Sequence, residues 1–399
     1  MLASTFRQQL RRAIEVDDVL PVGGIRRFEP EVSGVAALIV APAARHDEVA
    51  RVALPLAETP RGRVAVSMTD PAQAGAALLW HTGSRAHLDT LVARAHDRQL
   101  TFDATGLSRN GIPLPAATEA DCYAALGLPF IPPELRQTGE EVRLAEAGQL
   151  PDLVTSMHIR GDLHMHTTWS DGRDTVEAMV VEARQLGYEY IAITDHSEHS
   201  AASRNLTTGD VSAQRAEIEE IRRKVPGIQV LHGVEVDIMP DGSLDFDDAL
   251  LAGFDLVLAS LHDAAGHDAA RLTERCLSAI AHPLVSIITH PANRSPGLSR
   301  GHDMDFDRIF DAAVATGTAL EIDGAPGHLD LDGALARRAA ARGVTLAIDS
   351  DAHRADWLGR QMRFGVGTAR RGWVEPRHVL NSRSVDDVRA FIARKRARA

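Results

Sequence analysis

The chain has 399 residues, enough for two domains and a sizeable core, with 44% hydrophobic and 25% charged residues. A net charge of −12 excludes a protein that coats nucleic acid through a basic stripe, and the two cysteines, Cys122 and Cys276, exclude a disulfide framework. With only those two cysteines a cytoplasmic, reduced protein is expected, and no run approaches the roughly 18 apolar residues of a membrane span.

The first segment, MLASTFRQQLRRAIEV, reads as an amphipathic helix; it has no apolar h-region and no cleavage pattern of a signal peptide. Strands are expected at VAALIVA (35–41) and RVAVSM (63–68), helices at 72–79, 84–98 and 119–126, and a Gly/Pro-rich loop at 105–115. Residues 1–135 thus form a small α+β domain. The charged segment 136–157 carries no strand signal and is expected to be a connector.

From 158 to 399 the pattern changes to short apolar runs alternating with helices. Strands are expected near 159–164, then at YIAIT (190–194), IQVLHGVEV (228–236), DLVLAS (255–260), SIIT (286–289), ALEI (319–322) and TLAI (345–348). In TVEAMVVEARQLG (175–187), Val176, Met179, Val180, Ala183 and Leu186 share one face and Gly187 follows its end. Helices at 268–281, 306–317 and 331–343 repeat the design. About seven strand–helix units predict an α/β barrel of parallel strands, smaller than the eight-fold one. The basic end RKRARA (394–399) reads as the frayed end of a helix, where cations favour the dipole.

Metal-competent side chains follow or end these strands. His164 and His166 come after the first, with Asp171 five residues on. Asp195 and His196, Glu235, His262, His290, and Asp349, Asp351 and His353 follow in turn. In a parallel barrel these ends share one face, the face on which active sites are built. Imidazole and carboxylate are ligands of Zn, Mn and Fe. Converging without a partner, they would cost several kcal/mol. A multinuclear metal site is therefore expected. His87, His96, His282, His302, His328 and His378 are read as structural.

The motifs DLHMHTTWSDG, ITDHS, HGVEVDI, ASLH, THP and IDSDAH, in that order, resemble the PHP domain, the polymerase and histidinol phosphatase family. The resemblance covers 158–399. It implies a distorted (β/α)7 barrel with three divalent ions (Zn, Mn or Fe) at its mouth. The implied ligands are His164, His166, Asp171, His196, Glu235, His262, His290, Asp351 and His353. Glu235 would bridge two metals, and Asp171, His196 and His353 would hold the third. His164, His166, Glu235, Asp351 and His353 would be the catalytic core of this set.

GYEYIAITDHS, ATGTALEID and MRFGVGTARRGWVEPRHVLN are similar to the PHP domain of bacterial family X DNA polymerases. HTGSRAH (81–87) and YAALGLPFIPPELR (123–136) resemble parts of the polymerase core itself. Residues 1–135 then look like a truncated palm and thumb. That palm needs two aspartates on one strand and a third on its neighbour to hold two Mg²⁺ ions. Val35 and Ala37 stand at the paired positions, Ala65 at the third, and Gly23-Gly24 replaces the triphosphate-binding Gly-Ser. Asp is absent from 19–46, so no polymerase activity is expected.

A multinuclear centre suits phosphoester hydrolysis, because metals lower the pKa of bound water to about 7 and clamp phosphoryl oxygens. Arg294, Arg300 and His267 are candidate substrate contacts, and Asp263 a candidate partner of His262. Three readings stay open. One is DNA 3′-end processing, as a 3′-5′ exonuclease or 3′-phosphatase. The second is a small-molecule phosphomonoesterase of the histidinol-phosphatase type. The third is a non-catalytic protein that docks DNA or a partner.

Overall fold

The computed structural model describes residues 2–398 and divides into two compact units, Met1–Pro151 and Asp152–Ala399.

In the first unit a four-stranded sheet runs in the order β1 (Asp18–Val22), β2 (Val35–Val40), β4 (Gly62–Thr69), β3 (Glu58–Thr59). β2 and β4 are parallel neighbours; the outer pairings are antiparallel. A small antiparallel sheet of β5 (Thr101–Asp103), β6 (Gly106–Arg109) and β7 (Ile112–Pro113) occupies the expected loop region. Its strands are two to four residues long, too short to carry an alternating pattern. Helices Leu2–Ala13 and His46–Ala57 cover one face of the larger sheet, burying Phe6, Leu10, Val49 and Ala53 against Val19, Ala37, Ile39 and Val64. The segment after 136 is not all connector: helix Glu140–Glu146 buries Glu141, Val142 and Ala145, and the unit runs on to Pro151.

The register of β2 on β4 corrects the palm assignment. Val35 and Ala37 belong to the helix-covered face with Val64 and Val66. Ala65 pairs with Ala36, and in a sheet paired residues share a face, so Ala65 points the other way. Val35, Ala37 and Ala65 therefore do not converge. The paired positions that share Ala65's face, Ala36, Leu38, Ser67, Val40 and Thr69, carry no carboxylate.

In the second unit seven strands are parallel and follow chain order: β8 (Gly161–Asp162), β9 (Tyr190–Ile193), β10 (Gln229–Asp237), β11 (Leu256–Ser260), β12 (Ile287–Ile288), β13 (Ala319–Asp323) and β14 (Leu346–Asp349). The segments that continue the first and last strands are joined by a parallel bridge between Met165 and Ala352 and by two hydrogen bonds, donated by Asp351 N to His164 O (3.0 Å) and by His166 N to Ala352 O (3.0 Å). Lower down, the buried Asn381 side chain spans the seam. It donates to the carbonyls of Gly161 (2.9 Å) and Ile348 (2.6 Å) and accepts the Ile348 amide (3.0 Å). Main-chain groups at the gap thus find partners that a barrel edge would lack.

Side-chain parity sorts the two faces. Ile191, Ile193, Val257, Ile288, Leu320 and Ile348 point out to the helices. Tyr190, Leu231, Leu258, Ile287, Ala319 and Ala347 fill the interior. The last helix, Val385–Arg396, adds Val388, Phe391 and Ile392 to that interior cluster. The basic end is not frayed: Lys395 is buried and donates to Ile280 O (2.7 Å) and Thr318 Oγ1, while Arg396 and Arg398 donate to the carbonyls of Phe254 and Ala315. Among the described residues no helix is long and apolar enough to cross a membrane.

Candidate metal centre

The inward parity that fills the barrel with apolar side chains continues upward into polar ones. On β10, Leu231 and Gly233 are followed by Glu235; on β13, Ala319 is followed by Glu321 and Asp323. Loops leaving the strands supply the rest. The loop carrying Asp171 is shaped by Asp195, whose buried carboxylate accepts the amides of Thr167 (2.7 Å) and Ser170 (3.0 Å), both their hydroxyls, and the Gln214 amide. Gly172 is required there by close approach: a Cβ would stand 2.5 Å from the His166 backbone.

All nine residues of the expected set come together. Glu235 lies at the middle, with Oε2 2.7 Å from His196 Nδ1, 3.4 Å from His164 Nε2 and 3.5 Å from His166 Nε2. Its Oε1 lies 3.0 Å from His290 Nε2 and 3.4 Å from His262 Nε2. Asp351 Oδ1 is 3.0 Å from His166 Nε2 and 3.6 Å from His353 Nδ1. Asp171 Oδ1 is 3.2 Å from His353 Nε2 and 3.6 Å from His196 Nε2. Three overlapping groups have ligand atoms within 4.8 Å of one another: His166, Asp171, His196 and His353; His164, His166 and Asp351; and His196, Glu235 and His262. His290 and Asp351 hold their places with positive φ, 25° and 48°, a backbone cost of the kind that gathers at functional sites.

These groups fit divalent cations. Glu235 Oε2 and His196 Nδ1 touch at 2.7 Å without hydrogen-bonding geometry, and they, Asp171 Oδ1, His166 Nδ1 and His290 Nδ1 are shielded from water with no hydrogen bond made. His164 and His166 bring their Nε2 atoms within 3.1 Å of each other, a contact that needs a proton or a cation between lone pairs. Burial and the neighbouring imidazoles of His196 and His353 push the His166 pKa down to about 3, so the ring is neutral with a lone pair to give. Burial opposes charge on Glu235 as well, but the surrounding imidazoles of His196, His164 and His262 outweigh it and hold the carboxyl well below its ordinary range.

Two partners were missed in the sequence. Glu321 accepts from His164 Nδ1 (2.7 Å) and from the His290 amide (2.6 Å). Asp237 lies 2.9 Å from His262 Nδ1, the role anticipated for Asp263, whose side chain instead accepts the Ala265 amide. The signal for both was parity: each is a carboxylate at an inward position of an apolar strand. His328, read as structural, stacks on His290 with ring centroids 4.8 Å apart. His87 is structural as expected, buried between Glu141 (2.8 Å) and Tyr123 (3.0 Å).

The expected substrate contacts are not drawn into these groups. Arg294 pairs with Asp332 at 3.3 Å, Arg300 is exposed, and His267 is half-buried. All three lie on loops that leave β11 and β12 at the same barrel end as the ligand set.

Family models match a DNA polymerase beta thumb over residues 77–137 and a PHP domain over 162–289. The chain is 40% identical over 277 residues to the DNA polymerase/3′-5′ exonuclease PolX of Bacillus subtilis (strain 168), covering 69% of this chain and 48% of that protein. It thus spans about half the length of that relative. A histidinol phosphate phosphatase from Lactococcus lactis, crystallised with zinc, L-histidinol and phosphate, shares 18% identity at a TM-score of 0.42, covering 54% of this chain and 94% of that one. A probable phosphatase of Thermoanaerobacter sp. (strain X514) is 30% identical over 210 residues, which is 50% of this chain but 81% of the phosphatase. With that relative aligned over most of its length, and the domain match lying inside the barrel unit, the chain belongs to the PHP family.

Proposed function

We propose that this chain, a metal-dependent phosphoester hydrolase by family and ligand set, processes the 3′ ends of DNA as a 3′-5′ exonuclease or 3′-phosphatase. The observation that carries the hydrolase reading is Glu235, a fully buried carboxylate with five imidazoles within 3.5 Å. The DNA reading is supported by the 40% identity to a polymerase/exonuclease and by the thumb match at 77–137. The first unit is proposed to have lost nucleotidyl transfer and to guide DNA at most. A cytoplasmic location fits two buried, free cysteines.

In this reading the nine side chains hold three divalent ions, Zn, Mn or Fe. Glu235 lies between two positions, and Asp171, His196 and His353 make the third. When bound, such ions supply an acidified water and neutralise charge on phosphoryl oxygens. The protein's own part is orientation. Glu321 accepts a hydrogen bond from Nδ1–H of His164, and Asp237 one from Nδ1–H of His262, which would leave each ring's Nε2 lone pair turned to the centre when a metal is bound. Asp195 fixes the loop that presents Asp171. Apolar side chains below, among them Leu231 and Ala319, close the floor to water. Arg294, Arg300 and His267 are the proposed contacts to the ester, from loops at the same barrel end.

A small phosphomonoester is the second reading, supported by the 30% identity to a probable phosphatase that lacks a counterpart to about half of this chain. Release of phosphate or mononucleotides from a 3′-phosphorylated oligonucleotide, against release from a panel of small phosphomonoesters, separates the two.

A further inference from the structure

Beside the nine-residue set stands a fourth group. One ligand atom each from Asp323, His328 and Asp351 lies within 4.8 Å of the others. Asp323 is the last residue of β13 and 0% exposed. Its Oδ1 accepts the Ala325 amide at 2.6 Å, while Oδ2 is shielded from water and has no partner. His328, on the loop after β13, is also left with a shielded, unpartnered Nδ1. Its ring is held by stacking on His290, at 4.8 Å and an interplanar angle of 19°. Buried polar atoms almost always have partners, and two unpartnered ones on side chains that converge with a shared carboxylate call for something between those side chains. Water is one filler. A cation suits the pair better, since one atom is a carboxylate oxygen, the other an imidazole nitrogen, and Asp351 adds a second carboxylate.

We propose that Asp323, His328 and Asp351 form a fourth divalent-cation position, adjoining the three-ion centre through Asp351. Three protein ligands leave positions open to water or a substrate oxygen, the arrangement of catalytic rather than structural metal sites. Two carboxylates and one imidazole suit Mn²⁺ or Mg²⁺, which keep several waters, and Asp351 would bridge. The position holds its ion less tightly than the others because its ligands are fewer and one is shared. It lies on the β12–β14 side of the mouth, the side from which the loop carrying Arg294 and Arg300 leaves, and an ion there would face the ester from that side.

The inference rests on the metal-centre reading but is tested without substrate. Metal-stripped full-length protein is dialysed to equilibrium against increasing Mn²⁺, and bound manganese per chain is measured by elemental analysis. Wild type is expected to reach four equivalents, the last one weakly. His328→Phe, which keeps a ring to stack on His290, and Asp323→Asn, which keeps the shape, are expected to stop at three while their tighter equivalents are unchanged. Equal plateaus in wild type and both variants, or a wild-type plateau of three, would overturn the proposal. Should one variant fail to fold, the other still decides. A chain that holds four ions yet leaves a 3′-phosphorylated oligonucleotide intact contradicts only the DNA reading; a chain that cleaves it with three ions contradicts only this one.

Discussion

Nδ1 of His164 lies 2.7 Å from Oε1 of Glu321, a carboxylate that no strand-end pattern picks out. Burial opposes a charge on His164, but Glu321, Glu235 and Asp351 outweigh it and raise its pKa well above the ordinary value. Without a metal both ring nitrogens therefore carry protons; a cation would displace the one on Nε2 while Glu321 keeps the one on Nδ1 in place. Loss of such an outer partner typically costs 10–100-fold in metal affinity or activity. Glu321→Gln is therefore expected to weaken metal binding by roughly 10-fold or more with the fold intact. Metal titration with circular dichroism as the control checks it; an affinity equal to wild type would show that Glu321 serves packing alone.

Removing a member of the set itself is expected to cost more. His164→Ala and Asp351→Ala should reduce hydrolysis by roughly 10³-fold or beyond, about 4 kcal/mol of transition-state stabilisation. Both side chains are buried and paired, His164 with Glu321 and Asp351 with His166, so melting in metal-free buffer is measured alongside to separate lost chemistry from lost fold. Full activity in both variants would remove the active-site assignment.

Chelation should inactivate the protein and lower its melting temperature together. Ions that bind only the folded state stabilise it by about 2.7 kcal/mol at 100 times their Kd. The melting point of the barrel unit is expected to rise with added Mn²⁺ and to fall in chelator. A melting point indifferent to both would argue that the histidines are satisfied without ions.

Asn381 makes a prediction about the fold alone. Asn381→Leu strips the partners from the carbonyls of Gly161 and Ile348 and the amide of Ile348, all buried at the barrel seam. An unsatisfied buried group costs about 1–3 kcal/mol, so a loss of roughly 2–5 kcal/mol is expected. Urea denaturation measures it, and a variant as stable as wild type would mean the seam closes without this side chain.

Lys395 gives a pH dependence. Burial pushes its pKa down to about 7, from 10.5 in the unfolded chain. The charged form is thus disfavoured by folding. Its contribution to stability is full above pH 10.5 and is lost as pH falls toward 7. Wild type should accordingly lose stability relative to Lys395→Met between pH 10 and pH 7. A difference that does not change with pH over that window would place the ammonium in a solvated setting.

Much of the barrel was legible in the sequence because its signals are local. Apolar runs such as YIAIT and TLAI mark strands whatever their neighbours do, and a histidine or aspartate after each run marks the functional end. The rest depends on register and contact. β8 and β12 have two residues each, too short to carry a pattern. Glu321 and Asp237 sit inside strand runs, and only inward parity tells them from surface charges. Asn381 lies in a polar stretch, VLNSRS, that reads as an ordinary loop. The palm trio has the same origin: spacing along a strand aligns Val35, Ala37 and Ala65, but the β2–β4 register, which pairs Ala65 with Ala36, decides which face each takes.

We propose that the His/Asp/Glu centre hydrolyses DNA 3′ ends. The most direct measurement uses a 5′-labelled single-stranded oligonucleotide carrying a 3′-phosphate, incubated with Mn²⁺-loaded protein and resolved on a gel, with His164→Ala alongside. Loss of the terminal phosphate or a ladder of shortened products, absent with His164→Ala, is the predicted result. An unchanged band with wild type, or the same products from both proteins, would contradict it.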